Sequence, residues 1–478
     1  MENIENIHKI LGQVQPREGR LTDLYTVPSN TQANVNLRIV NTSSHPDKVR
    51  IALSKNSATY NVKHCIAYDY SVPAESDFLF FSGIALAPND TIRVLSNLGF
   101  ISFTADGGTT PYTGPPPPTA YGLFGWGGNR HRNLGLDDMI NRSYPVQVGG
   151  LTDWIDVNAG YHTTIALKID GTLWSWGCEF DGALGQGSGA PEYSSPVQIG
   201  SDDVWASIVT SGFGQHFSAA IGMDGTLWTW GNNNHDQLGI GSKPNQSWPV
   251  QVGLLTNWKS VSCGEFGFMV AVKTDGTLWS WGSNDSGQLG DATTIDKSSP
   301  VQVGLLTNWE SVACGYNHTI AVKTDGTLWS FGNNNYGQLG IGNTIAKSSP
   351  VQVGLNSNYL TDWASVSCGY NHSMVIKTNG TLWAFGENNF GQLGIGSKLT
   401  QSWPVQVGSL NTWASVSCGH YHTLAIKTDG TLWAWGSNDS GQLGDATTID
   451  KSSPVQVGLL TNWKRVYCGM DYTMAING

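Results

Sequence analysis

Cys314-Gly315-Tyr316-Asn317-His318-Thr319-Ile320-Ala321-Val322-Lys323-Thr324-Asp325-Gly326-Thr327-Leu328-Trp329-Ser330-Phe331-Gly332 is the stretch that decides the fold. Two β-rich runs, His318–Thr324 and Thr327–Phe331, meet at Asp325-Gly326. That dipeptide signals a hairpin, because both of its residues tolerate a positive φ. Glu310–Ala313 before them and Pro350–Val353 after them complete four short strand-like runs in about 50 residues, which is the content of one propeller blade.

The frame is periodic. Its Leu recurs at Leu123, Leu173, Leu227, Leu278, Leu328, Leu382 and Leu432, and a Pro-Val-Gln segment follows each time from Pro145, Pro196, Pro249, Pro300, Pro350, Pro404 and Pro454. A fixed period is read before any local propensity, and here it predicts seven blades. The first repeat, from Ala120, lacks its two leading strands, and Trp463 to Gly478 supplies two strands with nothing after them. The ends therefore complete one composite blade and close the ring, which removes the edges an open array would expose. Trp281–Trp309 and Trp435–Trp463 are identical, so a three-blade block has been copied.

The residues Cys314 to Thr319, Asp325 to Gly332 and Gly337-Gln338-Leu339-Gly340 resemble the regulator of chromosome condensation repeat. The resemblance covers all seven repeats, and it implies a seven-bladed propeller but no single activity. A plant ultraviolet-B receptor of that family would need Gly-Trp-Arg-His-Thr repeats with stacked Trp. The matching positions here read Gly315-Tyr316-Asn317-His318-Thr319 and Gly419-His420-Tyr421-His422-Thr423.

All 20 Trp follow residue 118, which marks a boundary. The join, Ala105-Asp106-Gly107-Gly108 through Pro115 to Pro118, is expected to be a stiff Pro/Gly linker over 105–118. In front of it, residues 1–104 carry short β-rich runs at Asn34–Val40, Val49–Leu53, His64–Tyr70, Phe78–Phe81 and Thr91–Leu95. These predict a β-sandwich, with weak helical periodicity only in Glu2–Leu11. The predicted fold is thus all-β: an N-terminal sandwich, a linker, and a closed propeller over 119–478.

Ile10 to Pro16, Leu21 to Pro28 and His64 to Asp69 resemble a small β-domain near the start of structural proteins of tailed bacteriophages. That resemblance implies a virion-attachment module. It suggests a head or tail appendage protein, docked on other virion proteins through residues 1–104, with the propeller displayed outward toward a host-surface glycan or protein. A homo-oligomer fits this reading. The alternatives are a bacterial propeller module that inhibits or recruits a protein partner, and an enzyme working from the central channel.

Composition narrows the ligand. Residues 119–478 hold 16 Lys and Arg against 26 Asp and Glu, and an acidic ring repels phosphate backbones, so no nucleic acid is expected. No apolar run has the length of a signal peptide or a membrane span, and the expectation is a soluble protein made in a cytoplasm, with no membrane partner. There is no P-loop and no His-Glu-x-x-His, and the Gly185-Gln186-Gly187-Ser188-Gly189 run lacks a central Ser. No catalytic residue, metal site or cofactor is expected. Cys263, Cys314, Cys368, Cys418 and Cys468 repeat with the blades and read as packing. His318, His372 and His422 read as core histidines, and Asn284-Asp285-Ser286-Gly287 as a turn lacking the acid spacing of a calcium loop.

Eighteen of the Trp fit three template positions. Trp248 and Trp403, each in Ser-Trp-Pro where other repeats read Ser-Ser-Pro, do not, and as loop aromatics they are candidate contact residues. Arg130-His131-Arg132 is the only basic cluster of the propeller and the second candidate contact.

Overall fold

A computed structural model describes the backbone of eight strands within residues 9–111, and residues 122–478 apart from 201–204, 213–214 and 355–360. The chain divides into two compact units, Met1–Thr119 and Ala120–Gly478.

The first unit contains β1 (Lys9–Val14), β2 (Thr22–Thr26), β3 (Thr31–Asn41), β4 (Asp47–Ser54), β5 (Cys65–Val72), β6 (Ser76–Leu86), β7 (Thr91–Ser96) and β8 (Ile101–Pro111). They form two four-stranded antiparallel sheets, β1-β8-β3-β6 and β2-β7-β4-β5. Four of the five β-rich runs of the sequence fall within strands and the fifth does so from Cys65, His64 lying outside the described residues. The helical periodicity near the start is not realised over Lys9 to Leu11, which is strand. A short isolated helix is marginal because its nucleation is costly, and pairing with β8 gives this segment a sheet partner instead. Strand β8 carries the chain through Pro111, into the stretch expected as linker, and the four prolines lie outside the described residues.

The second unit is a ring of seven four-stranded sheets. Blade 1 is composite: Trp463–Cys468, Tyr472–Asn477, Gly122–Gly127 and Arg142–Gln147. Its closing register pairs Tyr472 with Gly127 and Asn477 with Gly122. Blades 2 to 7 follow in chain order, their inner strands starting at Trp154, Trp205, Trp258, Trp309, Trp363 and Trp413. The second strand of each of blades 2 to 7 is buried along its whole length, as a strand covered on both faces must be.

The core lies between blades. Phe217, Ile221 and Leu227 of blade 3 pack against Trp258, Met269 and Trp281 of blade 4. Blade 1 is seated on both neighbours: Leu123, Tyr472 and Ile476 join Trp154 and Trp176, while Trp126 and Trp463 join Leu424 and Leu432. Lys168, Lys273, Lys323, Lys377 and Lys427, each ending a second strand, are almost fully buried between two indoles. Lys273 Nζ stands 3.6 Å from the Trp279 ring and 4.7 Å from Trp258, a cation–π pair that offsets burial of the ammonium.

A polar belt ties the blades together. The Ser373, Thr423 and Thr473 hydroxyls each donate to a carbonyl of the preceding blade, Gln338, Gln392 and Gln442. With those hydrogens committed, the hydroxyls accept from Nε2–H of His318, His372 and His422 at 3.0, 3.1 and 3.3 Å. In blade 1, Tyr472 takes the place of the histidine, 2.9 Å from Thr164. The three imidazoles are fully buried, and burial holds their pKa down at about 3, so they are structural.

The hairpin turn differs from expectation. Gly326 N–H donates to Lys323 O, and only Gly326 has a positive φ, 75°. Asp325 instead uses its carboxylate to accept from Thr327 N–H and Oγ1–H. The Asp therefore serves as a local acceptor rather than as a left-handed residue.

Candidate functional site

The loops between first and second strands surround one mouth of the central channel. In blades 5 and 6 they read Gly315-Tyr316-Asn317 and Gly369-Tyr370-Asn371, in blade 7 Gly419-His420-Tyr421, in blade 4 Gly264-Glu265-Phe266-Gly267, in blade 1 Gly469-Met470-Asp471, and in blade 2 Gly160-Tyr161-His162. The leading Gly is required by crowding. A Cβ at Gly315 would come within 2.2 Å of the His318 ring and 2.5 Å of Gly369 O in the next blade. The N–H after that Gly then reaches across: Tyr316 donates to Tyr370 O, Tyr370 to His420 O, Met470 to Gly160 O and Tyr161 to Ser211 O. Chained this way, the loops hold their side chains in a row.

The row is aromatic. Phe266 meets Tyr316 at 5.3 Å between centroids, Tyr316 meets Tyr370 at 4.2 Å, and Tyr370 meets His420 at 4.1 Å. His420 stacks on Tyr421 at 4.2 Å, and Phe390 adds to Tyr421 at 4.8 Å. On the other side, His131 stacks on His162 at 3.6 Å, with Tyr161 and His216 alongside. Burial, then the neighbouring His131 and His216, push His162 down to about 3, and burial pushes His420 down to about 4. These rings are uncharged at neutral pH and extend the aromatic surface. Below the mouth the channel is a cavity of about 490 Å³ lined by inner-strand residues, including Ser262, Cys314, Ser367 and Cys418, with Glu265 at its edge.

The channel thiols are not poised for chemistry. Burial pushes Cys314 and Cys468 up to about 12 and moves Cys263, Cys368 and Cys418 the same way. Such thiols carry little thiolate at neutral pH. No group of three metal-ligating side chains is found among the described residues. Asn284 is a loop clamp: its amide spans the Thr293 and Ile295 carbonyls, and its oxygen accepts from Leu289 N–H.

The residues singled out from sequence divide. The aromatic side chains around the mouth form a crown, and His131 belongs to it through its stacking on His162. Arg130 is exposed, and its charge acts on Asp471. Arg132 forms an ion pair with Glu192 of blade 2. Trp248 and Trp403 are not loop residues but lie on outermost strands, Gln246–Gln251 and Gln401–Gln406. The adjacent proline suggests a loop, but an edge strand tolerates a residue without an N–H. Trp248 is 53% exposed and Trp403 38%. Each indole lies across a glycine of the preceding blade: a Cβ would come within 2.6 Å of Trp248 at Gly187 and 2.0 Å of Trp403 at Gly342. The crown tyrosines, in contrast, do not stand out in the sequence. The signal was present, an aromatic after the repeated Gly, but it read as part of the template.

The RCC1-like domain model matches residues 122–475. The chain belongs to the RCC1-like family. Among its relatives, the E3 ubiquitin-protein ligase HERC2 of Mus musculus is 32% identical over 285 residues, 56% of this chain and 6% of that protein. The ultraviolet-B receptor UVR8 of Arabidopsis thaliana is 32% identical over 183 residues, 37% of this chain and 41% of that one. The chain thus spans only a minor part of these curated relatives. Yeast RCC1 (Prp20), solved with Kap60 bound, superposes with a TM-score of 0.67 at 21% identity, covering 75% of this chain and 89% of its own. Human WBSCR16 gives 0.67 at 20% identity, covering 75% and 99%. At that identity the superpositions establish the fold alone. The RCC1-like assignment covers the propeller and leaves the phage-type resemblance of the N-terminal domain without support.

Proposed function

We propose that this protein is a non-enzymatic binding module whose RCC1-like propeller takes a protein partner on the aromatic crown. The observation that carries this is the chained row from Phe266 through Tyr421, a preorganised aromatic surface at the channel mouth. Tyr supplies large contact area with few rotatable bonds, and such residues dominate binding energy at interfaces. Relatives support the class: UVR8 is a receptor, and yeast Prp20 is described with Kap60 bound and for binding Gsp1p and histones. HERC2 is a ligase, but the region shared with this chain is 6% of it. These relatives favour the binding-module alternative over the virion-appendage reading, whose attachment domain, virion partners and particle location they do not support.

The test is to pan a displayed random peptide library against the full chain and against a Tyr316→Ala/Tyr370→Ala variant that melts like the parent. Peptides enriched on the parent and lost on the variant are expected. Enriched peptides that bind both proteins equally would place recognition elsewhere.

A further inference from the structure

The crown is not electrostatically uniform. On the sector formed by blades 4 to 7, the loop segments around its rings carry carboxylates and no basic side chain; Lys398, farther along the blade 6 loop, is paired with Asp450. Loop residues 264–267, 283–288, 315–317, 333–338, 369–371, 387–392, 419–421 and 437–442 contain Glu265, Asp285, Glu387 and Asp439 but no Lys or Arg. Glu265 stands at the edge of the channel mouth. Burial pushes the Tyr370 and Tyr421 hydroxyls up, and the Glu265 charge adds to the same shift in both. Glu387 is held in place by Asn371 Nδ2 at 3.1 Å and Asn389 Nδ2 at 2.8 Å. Burial holds the pKa of His420 down at about 4, so this ring adds no positive charge to the crown at neutral pH. The basic side chains nearest the channel lie in blade 1, outside the sector: Arg130 and Arg132 in its loop, and Lys464 and Arg465, which line the cavity, Arg465 paired with Asp156.

Aromatic faces and fixed carboxylates attract the same thing. A ring face is the negative end of its quadrupole, and a guanidinium or ammonium over it is bound more firmly when a carboxylate stands near. We infer that the blade 4–7 sector of the crown binds a cationic segment of the partner, with Arg or Lys side chains seated on the Tyr316, Tyr370 and Tyr421 rings and balanced by Glu265 and Glu387. This rests on the crown being the protein-binding face. Arginine suits the site better than lysine, because its planar group stacks on a tyrosine while donating to a carboxylate.

The test uses the full chain and fluorescein-labelled hexapeptides of alternating Arg-Gly, Glu-Gly and Ala-Gly, read by anisotropy in about 0.15 M salt, where exposed long-range attraction is screened. Binding of the Arg-Gly peptide alone is expected. Glu265→Gln, which preserves shape, should weaken it about tenfold, as loss of one close charge partner does. Tyr370→Leu should weaken it about threefold. The control is Asp325→Asn on the opposite, hairpin face, which removes the same charge. Blade 6 already carries Asn379 at that turn with the same bonds to Thr381, so the change is compatible with the fold. Arg-Gly binding weakened equally by E265Q and D325N, or absent in the parent, overturns the inference. In the library panning, crown-dependent peptides that are neutral or acidic overturn it while leaving the crown as a protein-binding face. The absence of any crown-dependent peptide overturns both.

Discussion

Three neutral imidazoles sealed inside the ring should make it acid-sensitive, and replacing them with Phe should remove their share of that sensitivity, leaving that of His162, His216 and His420 in both proteins. His318, His372 and His422 are fully buried, and burial lowers each from 6.5 to about 3. The unfolded chain takes up these protons below pH 6.5, while the folded ring refuses them until about pH 3. Stability is therefore unaffected above 6.5 and falls as pH drops through that window. Each histidine costs about 1.4 kcal/mol per pH unit there. At pH 5.0 that is about 2 kcal/mol each and on the order of 6 kcal/mol for three, a large part of the stability of most domains. Their mutual repulsion when charged prevents the three from titrating independently.

The ring itself provides the control substitution. Blades 3 and 4 carry Phe217 and Phe268 at this position, fully buried, and Gly264 lies against Phe268 as Gly315 lies against His318. In the triple Phe variant, Ser373, Thr423 and Thr473 keep their bonds to the Gln carbonyls. At pH 7.5 the change should be small, one modest hydrogen bond lost per site against added apolar burial. The assay is urea unfolding followed by tryptophan fluorescence at pH 7.5 and 5.0 for both proteins. Glu179, Asp156 and Asp471, whose carboxyls burial pushes up, shift stability the other way but do so equally in parent and variant. The parent should lose several kcal/mol more than the variant between the two pH values. Equal losses would show that the imidazoles protonate in the folded ring and that the belt is not sealed.

Removing Lys464–Gly478 takes away Tyr472–Asn477, the strand that pairs with Gly122–Gly127, so the truncated protein should aggregate or melt far lower. A monomer that melts like the parent would disprove closure. Replacing Trp248 and Trp403 with Ser should cost each site well under the roughly 3–5 kcal/mol of a fully buried aromatic, since both are substantially exposed, and calorimetry of the double variant checks this. Substituting Ala for Gly342 should destabilise on two counts, a positive φ of 75° and collision with the Trp403 ring; pairing it with Trp403→Ser should recover part of the loss, and a double variant no more stable than Gly342→Ala alone would refute the packing.

The ring was legible because its signal is periodic. Seven Leu frames, seven Pro-Val-Gln segments and a split first repeat leave few alternatives to a closed propeller. Residues whose role depends on the neighbouring blade were harder. The Lys that ends the second strand in five of the seven blades looks like a solvated turn charge, yet Lys273 lies between two indoles. Trp248 and Trp403 stood out only as departures from the template. The crown failed to stand out for the opposite reason: Tyr316 and Tyr370 occupy the same place in consecutive repeats, so repetition disguised a surface as scaffold. Which loops share a face and which side chains meet across blades is fixed by ring closure, and no single repeat carries that information.

The most direct test of the crown as the binding face is hydrogen–deuterium exchange on the full chain, with and without a peptide enriched by panning. Protection is expected at the loops holding Glu265 to Gly267, Tyr316 and Asn317, Tyr370 and Asn371, and His420 and Tyr421, with the outer strands unchanged. Protection centred on Trp248 and Trp403, or on the Asp-Gly hairpins of the opposite face, would contradict the account.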